Sequence, residues 1–373
     1  MDNNSQKTIS NEQLGSLSGV YNALAESDAF FKVDYTALNS SGVAGGAFLA
    51  LNSETNVLTV ITTGKGVESG VPHPQHIHGF ATEKDGSVQN SEAPTLAQDT
   101  DGDGLVELAE GGVVYGPIQL ALTDPVGGAI PDFPNTSGNS FVQTASYDLD
   151  ELDAGAMNKD GKGASLADEL TGHNLNEREI VLHGLSLKEG QGEGTKGEAD
   201  GSAGYKAVLP IAAGEIERID TEQALADLAD GRIGVSNDVV AFDVQGKTGE
   251  AYRIFDSVLN RTPDQDGLSY YTSELDKGAS HGEVANALLN SNEFTANFGD
   301  IDDLDNEEYV ELLYRNVLDR EADDAGQMFY VDQLEQGASR AEVVGIFSES
   351  EEHQALLIGQ YGGGFLLNEG VIA

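Results

Sequence analysis

Apolar residues recur in this chain at two different spacings, and the change from one to the other divides it. From Ala29 they roughly alternate with polar ones, at Phe31, Val33, Tyr35 and Leu38. Two short apolar runs follow, Ala47-Phe48-Leu49-Ala50-Leu51 and Val57-Leu58-Thr59-Val60-Ile61, parted by Asn52-Ser53-Glu54-Thr55-Asn56. Runs of this length separated by turn-forming residues predict a β-hairpin. Ile118–Leu122, Ile180–His183 and Lys206–Leu209 read as further strands, with long Gly-, Asp- and Pro-containing connections between them. Many short strands joined in this way predict an all-β sandwich or barrel over residues 29–218. A polar lead-in precedes it at 1–28, and glycine recurs so often through 190–204 that a mobile loop is expected there.

Near Glu217 the period lengthens towards that of a helix. Thr221–Leu228 is a short amphipathic stretch, assigned to a linker over 219–239. Beyond it the chain repeats itself. Val258-Leu259-Asn260-Arg261 matches Val317-Leu318-Asp319-Arg320, and Lys277-Gly278-Ala279-Ser280 matches Gln336-Gly337-Ala338-Ser339, both at an offset of 59 residues. A fixed period means duplicated supersecondary units that bury their apolar faces together. Within each copy Phe255, Val258 and Leu259, or Leu313, Tyr314, Val317 and Leu318, fall at helical spacing. Ser280 and Ser339 stand three residues before Glu283 and Glu342, the pattern of a capping box. The expectation is an all-α repeat domain over 240–356, with six to eight short helices, and a Gly-rich then apolar tail at 357–373.

Charge changes the picture more than composition does. Sixty-four acidic residues stand against 19 basic ones, a net charge of −45. Such a chain cannot displace phosphate counterions, which argues against nucleic acid and anionic membranes and for cations as partners. The same surface would also serve a protein living in high salt. No cysteine is present, so neither disulfides nor thiolate metal ligands enter the account. No apolar run is long enough to span a bilayer, and Met1-Asp2-Asn3-Asn4-Ser5 does not open a cleaved signal peptide.

Residues 99–110, Asp-Thr-Asp-Gly-Asp-Gly-Leu-Val-Glu-Leu-Ala-Glu, fit a twelve-residue EF-hand-type calcium loop. Calcium takes six to eight oxygens, and acidic side chains at alternate positions can wrap one ion. Asp99, Asp101, Asp103, Glu107 and Glu110 would supply carboxylates, Leu105 its carbonyl, and Gly102 the sharp turn. The flanks do not read as two long helices, so the loop is expected inside the β-domain, in a stabilising role.

His73-Pro74-Gln75-His76-Ile77-His78-Gly79 holds three of the seven histidines. In a strand, residues two apart share a face, so His76 and His78 can present two imidazoles to one ion. His183 lies in another apolar strand. Imidazoles without thiolate suit copper or zinc. His281 and His353 stand alone, with surface or capping roles expected. No Ser-His-Asp order, phosphate loop or pair of catalytic carboxylates is evident.

The segments His76-Ile77-His78-Gly79, Val181-Leu182-His183-Gly184 and Leu209–Ile216 together resemble the CHRD domain and, more distantly, copper/zinc superoxide dismutase. The resemblance covers about residues 29–218. It implies a Greek-key β-sandwich in which His76, His78 and His183 match three copper ligands. The chain departs from the dismutase where a fourth, bridging histidine should follow, since no His occurs between His78 and His173. The dismutase has an anion-guiding Arg near the position of Pro210. Ala213 and Ala93 stand where it has its disulfide.

Residues 240–356 resemble a bacterial helical domain of unknown function found in secreted RTX-type calcium-binding proteins, on the Tyr252–Asp264 and Leu313–Arg320 segments. That resemblance implies an extracellular or cell-surface location, an extracellular matrix or cell-surface partner, and export by a type I system through the C-terminal tail. The favoured expectation is a non-enzymatic, calcium-binding protein with a copper or zinc site. The alternatives are a copper-dependent superoxide dismutase-like oxidoreductase and a halophile's protein that is acidic only for solvation.

Overall fold

The computed structural model describes residues 22–83, 85–124, 132–134, 138–152, 165–229, 231–357 and 364–368. Residues 1–21 of the expected lead-in, and 358–363 and 369–373 of the expected tail, lie outside them. The chain divides into two compact units between Val240 and Ala241.

The first unit is a β-sandwich. Strands β1 (Ala29–Asp34), β3 (Ala44–Asn52), β4 (Val57–Lys65), β7 (Ser140–Asp148) and β10 (Glu217–Arg218) make one sheet, in the order β10-β1-β3-β4-β7. Strands β2 (Thr36–Ala37), β5 (Gln75–His78), β6 (Ile118–Ala121), β8 (Glu179–Leu187) and β9 (Gly204–Glu215) make the other, in the order β2-β9-β8-β5-β6. The chain leaves the first sheet after β4, returns as β7 beside β4, and crosses again to lay β8 next to β5. These crossings are those of a Greek key. Alternation decides what faces inward. Phe31, Val33, Leu49, Leu51, Leu58 and Val60 of one sheet meet Ile77, Leu120 and Ile180 of the other in a single buried cluster.

One buried ion pair ties the approach to β8 onto the loop after β5. Arg178 and Glu169 are both fully buried, with Nη2 and Oε2 2.7 Å apart. Glu169 lies in α2 (Leu166–Leu170), the helix that follows α1 (Leu108–Tyr115) in this unit. The Glu169 carboxylate also accepts from the Thr82 amide at 3.0 Å and the Thr82 hydroxyl at 2.8 Å.

The stretch 219–239 is more than a connector. It carries α3 (Thr221–Ala229) and the neighbouring strands β11 (Arg232–Val235) and β12 (Asp238–Ala241), and up to Val240 it groups with the sandwich. Backbone hydrogen bonds close the base of the glycine-rich loop. Gly190 and Gly201 anchor its two sides, the Gly190 amide donating to the Gly201 carbonyl and the Gly201 amide to that of Gln191, each at 2.9 Å.

The second unit is helical. The first copy holds α4 (Lys247–Leu259), α5 (Gln265–Asp276), α6 (His281–Leu289) and α7 (Asn292–Phe298). The second holds α8 (Asn306–Leu318), α9 (Asp324–Glu335), α10 (Arg340–Ser348) and α11 (Glu351–Leu357). Every boundary recurs at the 59-residue offset. Asn260 and Asp319 end α4 and α8 in the left-handed conformation, at φ 49° and 57°. Ser280 and Ser339 form the predicted capping boxes.

Each copy is locked by the same arginine. Arg261 lies 4.7 Å from the Phe255 ring centroid and grips Glu293 through Nε and Nη2 at 2.5 and 2.9 Å. Arg320 lies 4.8 Å from the Tyr314 ring and grips Glu352 at 2.8 and 3.1 Å. These arginines join helices as well as ending them. His353, for which a surface or capping role is expected, is 1% exposed. Its Nε2 lies 3.1 Å from Asp256 and its Nδ1 3.0 Å from the Ser348 carbonyl, so it is a core polar contact. Part of the tail is strand β13 (Phe365–Asn368), whose Asn368 amide donates to the Ser269 hydroxyl at 2.8 Å. Among the described residues no helix is long and apolar enough to cross a membrane.

Candidate metal centre

Pleating separates the side chains of β5 into two sets. Ile77 points into the core, and Gln75 reaches Thr62 and Gln143 of the other sheet. His76 and His78 therefore project from the opposite face. On β8, Ile180 and Leu182 join the interior clusters, which sends His183 to the same outer face as the other two rings. The pairing register shifts at Ile77/His78 against β6 and at Leu182/His183 against β9. Such bulges re-aim side chains beside sites. Gly184 follows at φ +111°, where a Cβ would lie 2.0 Å from the Tyr205 hydroxyl and 3.0 Å from His73 Nδ1. Only glycine fits there.

The three rings meet. Their centroids are 5.6 Å apart for His76 and His78, 5.3 Å for His76 and His183, and 6.0 Å for His78 and His183. One nitrogen from each lies within 4.8 Å of the others. His78 Nδ1 sits 2.9 Å from the Gly116 carbonyl, and His183 Nδ1 2.7 Å from that of Val208. A carbonyl can only accept, so both Nδ1 atoms carry the proton and both Nε2 atoms carry a lone pair. Those two Nε2 atoms and His76 Nδ1 are buried without a hydrogen-bond partner. Buried polar atoms are seldom left unpaired, and three converging acceptor nitrogens are the arrangement a metal ion satisfies.

The surroundings hold the rings neutral. Burial, with the other two rings close by, pushes His76 down to about 2. Burial and His183 take His78 to about 3, against the opposing Gly116 contact. Burial takes His183 to about 4, again against its carbonyl contact. Phe133 stands edge-on to His76 at 5.3 Å, and Tyr115 to His78 at 4.6 Å. His78 and His183 are 1% and 2% exposed, whereas His76 is half-buried and forms the side facing solvent. His73, the third histidine of the motif, is not in the set. Its ring bridges the Glu68 carbonyl at 2.8 Å and the His183 carbonyl at 3.3 Å, and so braces β8.

Asp99, Asp101 and Asp103 are likewise brought together, each offering an oxygen within 4.8 Å of the others. Asp99 accepts from the Gly102 and Gly104 amides at 2.7 and 2.9 Å, and Asp103 from the Leu105 amide at 2.8 Å. Burial raises the Asp103 carboxyl, helped by Asp101 and Asp99. The predicted carboxylates Glu110 and Glu107 accept from backbone amides. Glu110 accepts from the Thr100 amide at 2.6 Å and the Glu107 amide at 3.1 Å. Burial opposes its charge, yet these donors hold it below the ordinary value. Glu107 is 2% exposed and accepts from the Ala199 amide at 2.6 Å. Burial pushes it up, aided by Glu198, Asp103 and Asp101. Leu105 buries its side chain against Leu187, Ala199 and Leu209.

Helix α1 joins the two clusters. It begins inside the acidic loop and ends at Tyr115, against His78, and the next residue supplies the Gly116 carbonyl. The Tyr115 hydroxyl returns to the Leu108 carbonyl at 3.1 Å. One further feature has no counterpart in the sequence reading. Glu179, at the start of β8, is fully buried with neither carboxylate oxygen paired. Burial raises it to about 8, with help from Glu215 and Glu92. Ala93 packs against the cluster of Leu38, Tyr115, Val181 and Ala213.

No curated protein matches the chain. The helical unit is similar to a family described as a domain of unknown function, DUF4214, whose model matches residues 251–298 and again 285–357.

Proposed function

We propose that this chain is a secreted, calcium-stabilised bacterial protein whose sandwich holds copper on His76, His78 and His183, and whose helical repeats serve extracellular interaction. The convergence of three unpartnered imidazole nitrogens carries the reading. Three neutral nitrogen donors with one side open suit copper first among divalent metals, and zinc with a water next. Copper would supply one-electron chemistry or simple ligation there. The protein's own part is to fix two tautomers through Gly116 and Val208 and to keep the rings unprotonated. The aspartate trio at 99–103 is the proposed calcium anchor. A surface site and type I export follow from the resemblance of the helical repeats and belong to the same proposal.

A second reading is a superoxide dismutase-like oxidoreductase. In its favour, Ala93 packs against the cluster containing Ala213, the two positions at which that family has its disulfide. Against it, the residue paired with His183 on β9 is Pro210, which offers no cation to draw an anion inward, and the chain carries −45. Metal analysis of protein purified without chelators tests the first reading. One copper or zinc per chain, lost in His183→Ala, supports it, and a metal content unchanged by that substitution refutes it. Superoxide decay by the copper-loaded protein then separates the two. Decay that His76→Ala abolishes favours the oxidoreductase, and decay no faster than free buffer favours the binding protein.

A further inference from the structure

We propose that the outer face of α9 is a docking surface for a basic amphipathic polypeptide segment, held by Met328 and Phe329 among carboxylates. This deepens the interaction role proposed for the helical repeats and does not rest on either metal site. The two copies agree in their caps and in their arginine locks, so a difference between them marks a difference in what each face meets. The counterpart of α9 at the 59-residue offset is α5, which buries Leu268, Ser269, Thr272 and Leu275. Strand β13 supplies part of that cover. The Asn368 amide donates to the Ser269 hydroxyl at 2.8 Å, and the Asn368 side-chain amide to Asp266 at 2.7 Å. Phe365 and Leu367 of the same strand are buried. Helix α9 packs on α8 and α10, yet none of its residues is fully buried. Met328, the counterpart of Ser269, is 65% exposed, and Phe329 beside it 56%.

The chemistry of the two faces differs in the same places. Asp324, Met328, Asp332 and Glu335 lie about one turn apart along one side of α9, and all are exposed. Their counterparts on α5 are Gln265, Ser269, Ser273 and Asp276. The covered stripe is mainly neutral, whereas the uncovered one is acidic around an apolar centre. No Lys, Arg or His occurs from Glu321 to Ser339. Lys277, which pairs with Glu274 at 3.0 Å at the end of α5, is replaced by Gln336. Asp332 and Glu335 therefore repel each other in the last turn of α9, where the helix dipole already disfavours anions. A cationic partner relieves both effects. A second copy does not, because each chain carries −45 and would bring more carboxylates to the face. Methionine and aromatic side chains are the kind that interfaces bury. A basic amphipathic helix offers them an apolar stripe and offers the carboxylates its cations.

Calorimetry of the full chain with two synthetic peptides tests this. One is an amphipathic helix of Leu and Lys, about 16 residues long so that it can hold its helix. The other keeps every Lys and replaces each Leu with Ser. The wild type is expected to bind the Leu/Lys peptide at least about tenfold more tightly than the control. Met328→Ser combined with Phe329→Ser should remove most of that preference, and because both side chains are exposed the fold is kept. Asp332→Asn combined with Glu335→Gln should weaken binding about threefold and reduce its dependence on salt. Absence of binding, equal affinity for the two peptides, or a preference that the serine pair leaves intact overturns the proposal. In the last case the repeats keep an interaction role at another face, so the two readings fail separately. Self-association of the wild type that the serine pair abolishes, read by sedimentation velocity, assigns the face to a second copy and equally overturns it.

Discussion

Acid should unfold the metal-free sandwich well before it unfolds an ordinary acidic protein, and the imidazole set dictates how steeply. His78 and His183 sit at about 3 and 4 in the folded chain, against 6.5 in the unfolded one. Below pH 6.5 the unfolded chain binds their protons and the folded one does not, so stability falls as pH drops. Each ring contributes a slope of about 1.4 kcal/mol per pH unit. Glu179 has the opposite sign. Its folded value of about 8 lies above the ordinary 4.5, so its contribution is complete below 4.5 and lost as pH rises through 8. Between pH 6.5 and 4.5 two rings outweigh one carboxyl, for a net loss of about 2 kcal/mol. Adding His76, held down to about 2, brings the loss to roughly 5 kcal/mol. Against a typical total of about 5–15 kcal/mol, that is large. The apo sandwich should be most stable near pH 6.5 and fall on both sides. Urea unfolding in chelator at a series of pH values measures this, with hydrogen exchange of β5 and β8 peptides isolating the sandwich from the helical unit. Stability that stays flat from pH 7 to 4.5 would refute the reasoning, because the rings would then be protonated in the folded state without cost.

Calcium and copper should be coupled through α1, since the helix starts in the acidic loop and ends on His78. Chelating calcium, or Asp99→Ala, is expected to weaken copper binding about fivefold or more, and copper to tighten calcium by the same factor, both by calorimetry. Arg178→Ala leaves Glu169 buried and half-paired, and should cost about 3–5 kcal/mol in urea unfolding of the sandwich. Arg320→Ala should cost the helical unit about 1–3 kcal/mol by losing a bidentate pair and a stacked ring, and Arg320→Lys should recover less than half of that in the same thermal melt.

The strand period was enough to put His76 and His78 on one face, and the 59-residue offset was enough to align the helices of both copies. The approach of His183 was not readable from spacing. It depends on β8 lying beside β5, a fact of strand order that only the resemblance anticipated. The carbonyls of Gly116 and Val208 were invisible for a different reason, because a backbone acceptor leaves no mark on residue type. Glu179 sits among Asn176, Glu177 and Arg178, a run that reads as surface until the segment at 91–92 and α1 cover it. Strand β7 alternates weakly, with Thr144 and Ser146 among its residues, and was missed. Glycines of 190–204 take positive φ angles in the turns that bring Ala199 to Glu107, a contact that glycine content alone does not reveal. The expected six to eight short helices match the eight described between Lys247 and Leu357, because period and the Ser280 and Ser339 capping boxes recur in both copies.

Extended X-ray absorption of the copper-loaded chain tests the central claim most directly. Three imidazole nitrogens should surround the metal in the wild type and two in His183→Ala. A first shell of oxygen alone, or a spectrum that His183→Ala leaves unchanged, would contradict it.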